Sequence, residues 1–273
     1  MKENVNQKLL VKFKSDLQKV GGCLKGSDRN SISAAYKLFI EYAFEMVCEK
    51  WVTLNVNEDV ADGAIFIRKK DIVHGYEQSG CDFVLGDALL SYFYLVKASE
   101  PFEDIFTMLH EEFLLTGLKG DGLGQFFTAS DISYLIGELI LTDDSAAKHE
   151  FSDDCCGAGS LKLGVMKGRY RENPDAFKTM NVEFTDIDEF ACKSAFIQVV
   201  ASIIAHEIPI NQVRVFNSNI LSQWGKPGQL MVGLRSPDRV PVSSIKPGNL
   251  KAFEKVSALC KTSLKRTREA AAS

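Results

Sequence analysis

A glycine-bearing turn lies between a predicted strand and a predicted helix in the second half of the chain. The segment 153–159 reads Asp-Asp-Cys-Cys-Gly-Ala-Gly and precedes a helix predicted to begin at Ser160. Glycines in such a turn let a ligand approach the backbone, and the helix N-terminus offers free N–H groups and the positive end of a dipole. The third glycine of a dinucleotide fingerprint is missing, which disfavours a nicotinamide cofactor. An ordinary structural turn remains an equal alternative.

Polar residues also follow the next two predicted strands. The strand predicted at 181–185 runs into Asp186, where a carboxylate can accept two hydrogen bonds from a ribose diol. Asp188 can instead cap the helix that follows, and both roles can hold together. The strand predicted at 212–216 is followed by Asn217-Ser218-Asn219, where an asparagine amide can read a purine edge or lie in an ordinary polar turn.

An apolar pair precedes these segments. Residues 124–128 read Gly-Gln-Phe-Phe-Thr and lie ahead of a helix that Asp131 can cap. Two aromatic rings flanked by an amide and a hydroxyl can close over a ligand. Taken alone, the segment is more typical of a buried Phe-Phe anchor.

Hydrophobic periodicity predicts the elements that position these residues. Residues 1–116 form a mainly helical N-terminal region, and residues 117–273 alternate strands with helices. This alternation indicates βαβ units in an α/β domain with a mostly parallel sheet, which binds ligands at the carboxyl ends of its strands. The predicted helices cover about 5–20, 31–51, 82–98, a stretch beginning at Pro101, 131–141, a stretch from Ser160, 188–205 and a terminal stretch from Asn249; the strands end near Asp153 or cover 181–185, 212–216 and 229–234.

Composition excludes several classes of protein. The chain has 273 residues, of which 45% are hydrophobic and 25% charged, and these are values of a globular protein rather than a disordered chain. The formal net charge is −4, so the protein is not basic overall. A nucleic-acid partner would therefore need a local basic patch or a second chain that supplies positive charge.

The chain carries no predicted targeting or membrane segment. It has no run of about 18 apolar residues, and residues 1–6 lack the apolar core of a signal peptide. The seven cysteines show no CxxC spacing, which is typical of free thiols in a reducing cytosol. We therefore expect a cytoplasmic protein with no membrane partner and no metal site.

Taken together, four segments resemble the adenine-N6 DNA methyltransferases in order and spacing. They read Gly-Gln-Phe-Phe-Thr, Asp-Asp-Cys-Cys-Gly-Ala-Gly, Phe-Thr-Asp-Ile-Asp and Ser-Asn-Ile-Leu. The family carries GQFFTP, DPxCGxG, an acidic strand end and GDxL or GNxL, and the likeness is nearest to the modification subunits of type I restriction systems. It covers about residues 102–235 and implies a Rossmann-like domain, here truncated, that binds S-adenosyl-L-methionine (AdoMet).

The resemblance also implies a role for individual residues. The methionine part of AdoMet would lie against the aromatic segment and the glycine turn, and the adenosine part against the two later strand ends. The residues so implied are Gln125, Phe126, Phe127 and Thr128 with Asp153, Gly157 and Gly159 for the methionine part, Asp186 for the ribose hydroxyls, Ile187 for packing on the adenine, and Asn219 for the adenine edge.

The catalytic motif of the family is not intact in this sequence. The family places Asn-Pro-Pro and an aromatic residue after its fourth strand, where the amide and the ring hold the flipped target base. Here no Pro-Pro occurs, and the best alignment puts Ser236, Pro237, Asp238 and Arg239 in the slot. The amide acceptor and the stacking ring would both be missing.

Two functions follow from the resemblance. The first is an AdoMet-dependent DNA adenine-N6 methyltransferase-like protein of a restriction–modification system, which binds DNA weakly or through a partner and acts as a homodimer or with a partner subunit. The second is a catalytically inactive AdoMet-binding relative that regulates or inhibits such an assembly. Only about 35 residues follow the fourth strand, so we also expect its edge to be exposed or covered by another subunit.

Overall fold

The computed structural model describes residues 2–55, 65–68, 80–110, 113, 128, 130–141, 150–223 and 228–236. The described part is an α/β fold in which N-terminal helices pack against a five-stranded mixed sheet. The predicted boundary at residues 116–117 and the predicted terminal helix from Asn249 lie outside the described residues.

Long amphipathic helices dominate the N-terminal region, as the periodicity predicts. Their buried faces carry aromatic side chains, and Phe13, Tyr36, Phe39 and Tyr92 lie together in one core. The helices of this region are α1 (Lys2–Cys23), α2 (Ile32–Asn55), α3 (Asp82–Ala98) and the short α4 (Phe106–His110), with a 3-10 turn at Gly26–Asp28.

The helix predicted to begin at Pro101 begins instead at Phe106, so that prediction is wrong. Phe102 has a φ of +61°, which a right-handed helix does not accommodate. Side chains of a later helix satisfy the backbone donors of this segment. Phe102 N donates to Ser202 Oγ, and the N–H groups of Ile105 and Phe106 donate to Gln198 Oε1.

The remaining elements confirm the predicted alternation of strands and helices. The strands are β1 (Ile65–Ile67), β2 (Glu150–Asp153), β3 (Asn181–Asp186), β4 (Gln212–Asn217) and β5 (Leu230–Arg235). The helices are α5 (Ser130–Leu141), α6 (Ser160–Glu172), α7 (Glu189–His206) and the short α8 (Ile220–Gln223), with a 3-10 segment at Pro174–Thr179. The sheet order is β1-β5-β4-β3-β2.

The sheet is mixed rather than mostly parallel. β2, β3 and β4 are parallel to one another, whereas β5 runs antiparallel to both β4 and β1. A parallel crossover needs a dozen or more residues, usually with a helix. The connection from β4 to β5, residues 218–229, has only about the minimum length of a parallel crossover, and its helix α8 spans four residues. The chain therefore turns back, and β5 lies antiparallel beside β4.

The expected open edge at the fourth predicted strand does not occur. All six residues of β5 are buried, and β4 and β1 pair with its two sides. The covering strand is β1. It comes from residues 52–81, where the hydrophobic pattern of the sequence is mixed. A strand from the first quarter of the chain thus occupies the place that we expected to be exposed or to hold another subunit.

One core joins the helical region to the sheet. Val182, Phe184, Val213 and Val215 alternate along β3 and β4 and are buried with the apolar residues of α2 and α7. At the margin of this interface Lys193 of α7 donates to the carboxylate of Glu41 of α2 at 2.5 Å. The packing fixes β3 and β4, whose carboxyl ends carry Asp186 and Asn217, against the helices.

Candidate functional site

Three of the predicted segments meet where the parallel strands end. Phe184 of β3 pairs with Asp153 of β2, and Asp186 pairs with Asn217 of β4. We call the line formed by the ends of β2, β3 and β4, with the turns that follow, the carboxyl edge. The sequence therefore predicts correctly that Asp153 and Asp186 lie at one edge of the sheet.

The glycine turn has the backbone that its sequence suggests. Gly157 and Gly159 have φ values of +51° and +95°, and Gly159 is the N-cap residue of α6. A Cβ at Gly159 would lie 3.2 Å from Ala195 Cβ, whereas a Cβ at Gly157 would meet nothing within 4 Å. Gly159 is thus required for close packing on α7, and Gly157 faces open space into which a ligand can fit.

Asp186 ties the glycine turn to the turn after β3. Its Oδ2 accepts a hydrogen bond from Gly157 N at 2.8 Å, and its Oδ1 accepts one from Asp188 N at 2.9 Å. The two oxygens of a carboxylate can accept more than two hydrogen bonds, so beyond these donors from the described residues Asp186 has capacity for others. Asp188 caps α7, because its Oδ1 accepts from Phe190 N at 3.0 Å, which confirms its predicted capping role.

A buried cation lies behind these carboxylates. Lys162 of α6 is 2% exposed, its Nζ donates to Glu183 O at 2.6 Å, and it lies 4.8 Å from the centre of the Phe184 ring. Burial lowers the pKa of Lys162 to about 8, and the nearby Asp153 carboxylate opposes that change. Burial raises the pKa of Asp153, and Lys162 partly offsets this. The charge of Lys162 thus favours the ionised form of Asp153.

The turn after β3 presents an apolar side chain to solvent. Ile187 is 61% exposed, although it lies between two hydrogen-bonded aspartates. Ile187 lies next to the Asp186 carboxylate, which can accept hydrogen bonds from ribose hydroxyls. An exposed aliphatic side chain in this position can pack on the face of a purine. The position of Ile187 is therefore compatible with its predicted contact.

Asn219 serves as a local cap. Its Oδ1 accepts from Leu221 N at 3.0 Å and from Ser222 N at 3.3 Å, and its backbone N donates to Gln223 Oε1. These bonds are those of an ordinary polar turn, which is one of the two alternatives that the sequence leaves open for this segment. The predicted contact with an adenine edge stays a prediction.

Asn217, the last residue of β4, belongs to the predicted strand-end segment, although the predicted purine contact is assigned to Asn219. The Nδ2 of Asn217 donates to Ile187 O at 2.9 Å and to Asp186 O at 3.3 Å, and its Oδ1 accepts from Arg68 Nη2 at 3.3 Å. Extending the predicted strand by one residue would have put Asn217 level with Asp186. No local signal indicates Arg68, because its partner is 149 positions away in sequence.

Ser236 does not lie at the carboxyl edge. β5 is antiparallel to β4, so Arg235 pairs with Gln212 and Ser236 N donates to Asn211 O at 3.0 Å. Six residue steps of about 3.3 Å separate Asn211 from Asn217, which puts Ser236 roughly 20 Å from the carboxyl edge. Ser236 is thus separated from the predicted cofactor segments, and Pro237, Asp238 and Arg239 lie outside the described residues.

Much of the predicted aromatic segment also falls outside the described residues. Gln125, Phe126 and Phe127 are not described, and Thr128 is half-buried. Within the described ranges, no three His, Cys, Asp or Glu side chains group as a metal site. None of the helices in that part of the chain has the length and apolar character needed to cross a membrane.

No protein-family model and no curated protein matches the chain. Among solved structures, the chain is similar to a protein from Vibrio vulnificus YJ016 described as a modification subunit of a type I restriction enzyme. The TM-score is 0.42 at 12% sequence identity, and the match covers 78% of this chain and 56% of that one. The chain thus spans a little over half the length of the protein that it matches.

Proposed function

We propose that this chain binds AdoMet at the carboxyl edge and is a relative of the adenine-N6 DNA methyltransferases. The observation that carries the proposal is the bond from Gly157 N to Asp186 Oδ2. It joins two motif segments that are 29 positions apart and that the family uses for the two parts of one cofactor. The order of the four motif segments supports the same assignment.

The residues at the carboxyl edge fit the chemistry of AdoMet. Asp186 has acceptor capacity left for the ribose hydroxyls, and Ile187 offers an exposed apolar surface to the adenine. Gly157 leaves open space beside the backbone, where the methionine part passes Asp153. Thr128 and Asn219 complete the proposed set, with Gln125, Phe126, Phe127 and Gly159 from the same motifs.

Bound AdoMet would supply an electrophilic methyl group, and the chain's own residues would bind and orient it. The described residues at the carboxyl edge include no Asn-Pro-Pro-aromatic arrangement to hold a target base. In an active methyltransferase, the residues that hold the target base would come from another chain or from outside the described residues. We therefore propose that the chain alone does not methylate DNA and needs a partner for activity.

A second candidate function is an AdoMet-binding regulator or inhibitor of a restriction–modification assembly. The position of Ser236 favours it, because this residue lies beside the amino end of β4 and the cofactor segments follow the carboxyl ends of the parallel strands. The net charge of −4 favours it too, since it gives little attraction to phosphates.

Radiolabelled methyl transfer to unmethylated duplex DNA separates these functions. We expect no transfer above background from the purified chain. Transfer by the complex isolated with its native partners supports the partner-dependent enzyme, and its absence there supports the regulator. Robust turnover by the isolated chain would show that the acceptor-binding residues are intact.

A further inference from the structure

A residue outside every motif segment reaches the carboxyl edge. Arg68 follows β1, and its backbone N extends the sheet by donating to Met231 O at 2.8 Å. The side chain is only 14% exposed. Its Nη1 donates to Gly228 O at 3.4 Å and its Nη2 donates to Asn217 Oδ1 at 3.3 Å. The guanidinium is therefore held between the start of β5 and the end of β4.

The bond from Arg68 determines which way the amide of Asn217 points. With Oδ1 toward the guanidinium, Nδ2 faces the carbonyls of Asp186 and Ile187 and donates to both. The reversed amide would put N–H groups against the guanidinium and an oxygen against two carbonyls, so every contact would be repulsive. Hydrogen bonds from a charged donor are also stronger than neutral ones.

The Asn217 amide in turn holds the turn that carries the proposed adenosine contacts. Asp186 O accepts from both Asn217 Nδ2 and Ser218 N, and Ile187 O accepts from Asn217 Nδ2. These bonds set the backbone from which the Asp186 carboxylate and the Ile187 side chain project. A weak ion pair of 3.9 Å from Arg68 Nη2 to Glu189 Oε2 links the guanidinium to the start of α7 as well.

We propose that Arg68 is a positioning residue for the adenosine part of the ligand. Acting through Asn217, it presents Asp186 and Ile187 to the ribose and the adenine. The role in ligand binding rests on the proposed function, but the ordering of the turn does not require a ligand.

A double-mutant cycle tests the ligand-binding role. Adenosine and S-adenosylhomocysteine are titrated into the wild type, Arg68→Ala, Asn217→Ala and the double variant. We expect each single variant to lose about tenfold in affinity for both ligands, and the double variant to lose little more than either, because the two residues act in series. Independent losses of about a hundredfold in the double variant, or wild-type affinity in Arg68→Ala, would overturn the proposal.

The matched control is Arg171→Ala, which removes an arginine that pairs with Glu100 at the end of α6. It should keep wild-type affinity. Arg68→Lys retains a charged donor but lacks the planar fork that bonds Asn217 and Gly228 through two nitrogens, so it should lie between the wild type and Arg68→Ala. This milder variant keeps the test decisive if Arg68→Ala does not fold.

Amide hydrogen exchange without ligand separates this inference from the proposed function. Exchange at Gly157 N and Asp188 N, the two donors to Asp186, should be faster in Arg68→Ala than in Arg171→Ala. Unchanged exchange at both amides would refute the positioning role. If the wild type bound neither ligand, the proposed function would fail and the ligand role of Arg68 with it, while exchange would still test the ordering of the turn.

Discussion

Two aspartates near the end of β3 hold two turns in place by different bonds. Asp186 accepts from Gly157 N and Asp188 N, whereas Asp188 accepts from Phe190 N at the start of α7. Because the two side chains have separate donors, their contributions to stability and to ligand binding can be measured separately.

Asp188→Ala should lower stability without weakening ligand binding. The substitution removes the N-cap acceptor of α7, and the loss of such a cap costs about 1 kcal/mol. Urea unfolding measures this loss, and titration with S-adenosylhomocysteine should show wild-type affinity. Asp188→Asn keeps an acceptor and is the matched control, with stability close to the wild type. A large loss of affinity in Asp188→Ala with unchanged stability would show that Asp188 contacts the ligand.

Lys162→Met should change how stability depends on pH. Burial lowers the pKa of Lys162 to about 8 from 10.5, so between these values the unfolded chain keeps a proton that the native chain has released. The wild type should therefore gain stability relative to Lys162→Met as the pH rises from about 8 to about 10, by roughly 2 kcal/mol. Urea unfolding across this range measures the difference, with the exposed Lys178→Met as control. A flat difference would refute the altered pKa.

The capping role of Asp188 and the glycine turn could be predicted because their signals are local. A capping residue and its helix are adjacent in sequence, and so are the glycines and the helix that they precede. Arg68 and its bond to Asn217 could not be found in this way, since the two residues are 149 positions apart in sequence.

At the scale of elements, α5 and α6 cross at two glycines. A Cβ at Gly164 would lie 2.4 Å from the carbonyl carbon and oxygen of Ser133, and a Cβ at Gly137 would lie 2.8 Å from Gly164 O. These distances are far inside van der Waals contact and involve backbone atoms, which cannot turn aside. The close crossing holds α6, and with it the glycine turn, against α5.

Gly164→Ala should therefore destabilise the protein. Inserting a methyl group into a packed contact typically costs about 1–3 kcal/mol, which exceeds the gain in helix propensity of about 1 kcal/mol. Gly86→Ala in α3 is the matched control, because its Cβ would meet only Tyr42 Oη at 3.7 Å, and it should be neutral or stabilising. Equal urea midpoints for Gly164→Ala and the wild type would contradict the close crossing.

The elements themselves could be predicted more fully than their arrangement. The predicted bounds of 82–98 for α3 agree with the structure, and those of β3 and α7 agree to within a residue, because periodicity and turn residues are local. The direction of β5 could not be read from its sequence. A strand that is buried on both faces has a continuous hydrophobic sequence whether it runs parallel or antiparallel to its neighbour. For this reason the sequence did not indicate which edge of the sheet Ser236 lies at.

At the scale of the whole molecule, the sheet is completed from distant parts of the chain. β1 comes from residues 65–67 and closes the side of β5 away from β4, while α2 and α7 share one core. The N-terminal region therefore supports the carboxyl edge directly, through both the packing and Arg68. A ligand that binds this edge should stabilise the whole fold, by about 2.7 kcal/mol at a free concentration of 100 times Kd.

Isothermal titration with S-adenosylhomocysteine tests the central claim, AdoMet-type binding at the carboxyl edge, most directly. We expect one site in the wild type and a loss of about 2–4 kcal/mol in Asp186→Ala, because the carboxylate that accepts from the ribose hydroxyls is removed. Asp188→Asn should bind as the wild type does. The absence of any heat from the wild type at millimolar ligand, or full affinity in Asp186→Ala, would contradict the account.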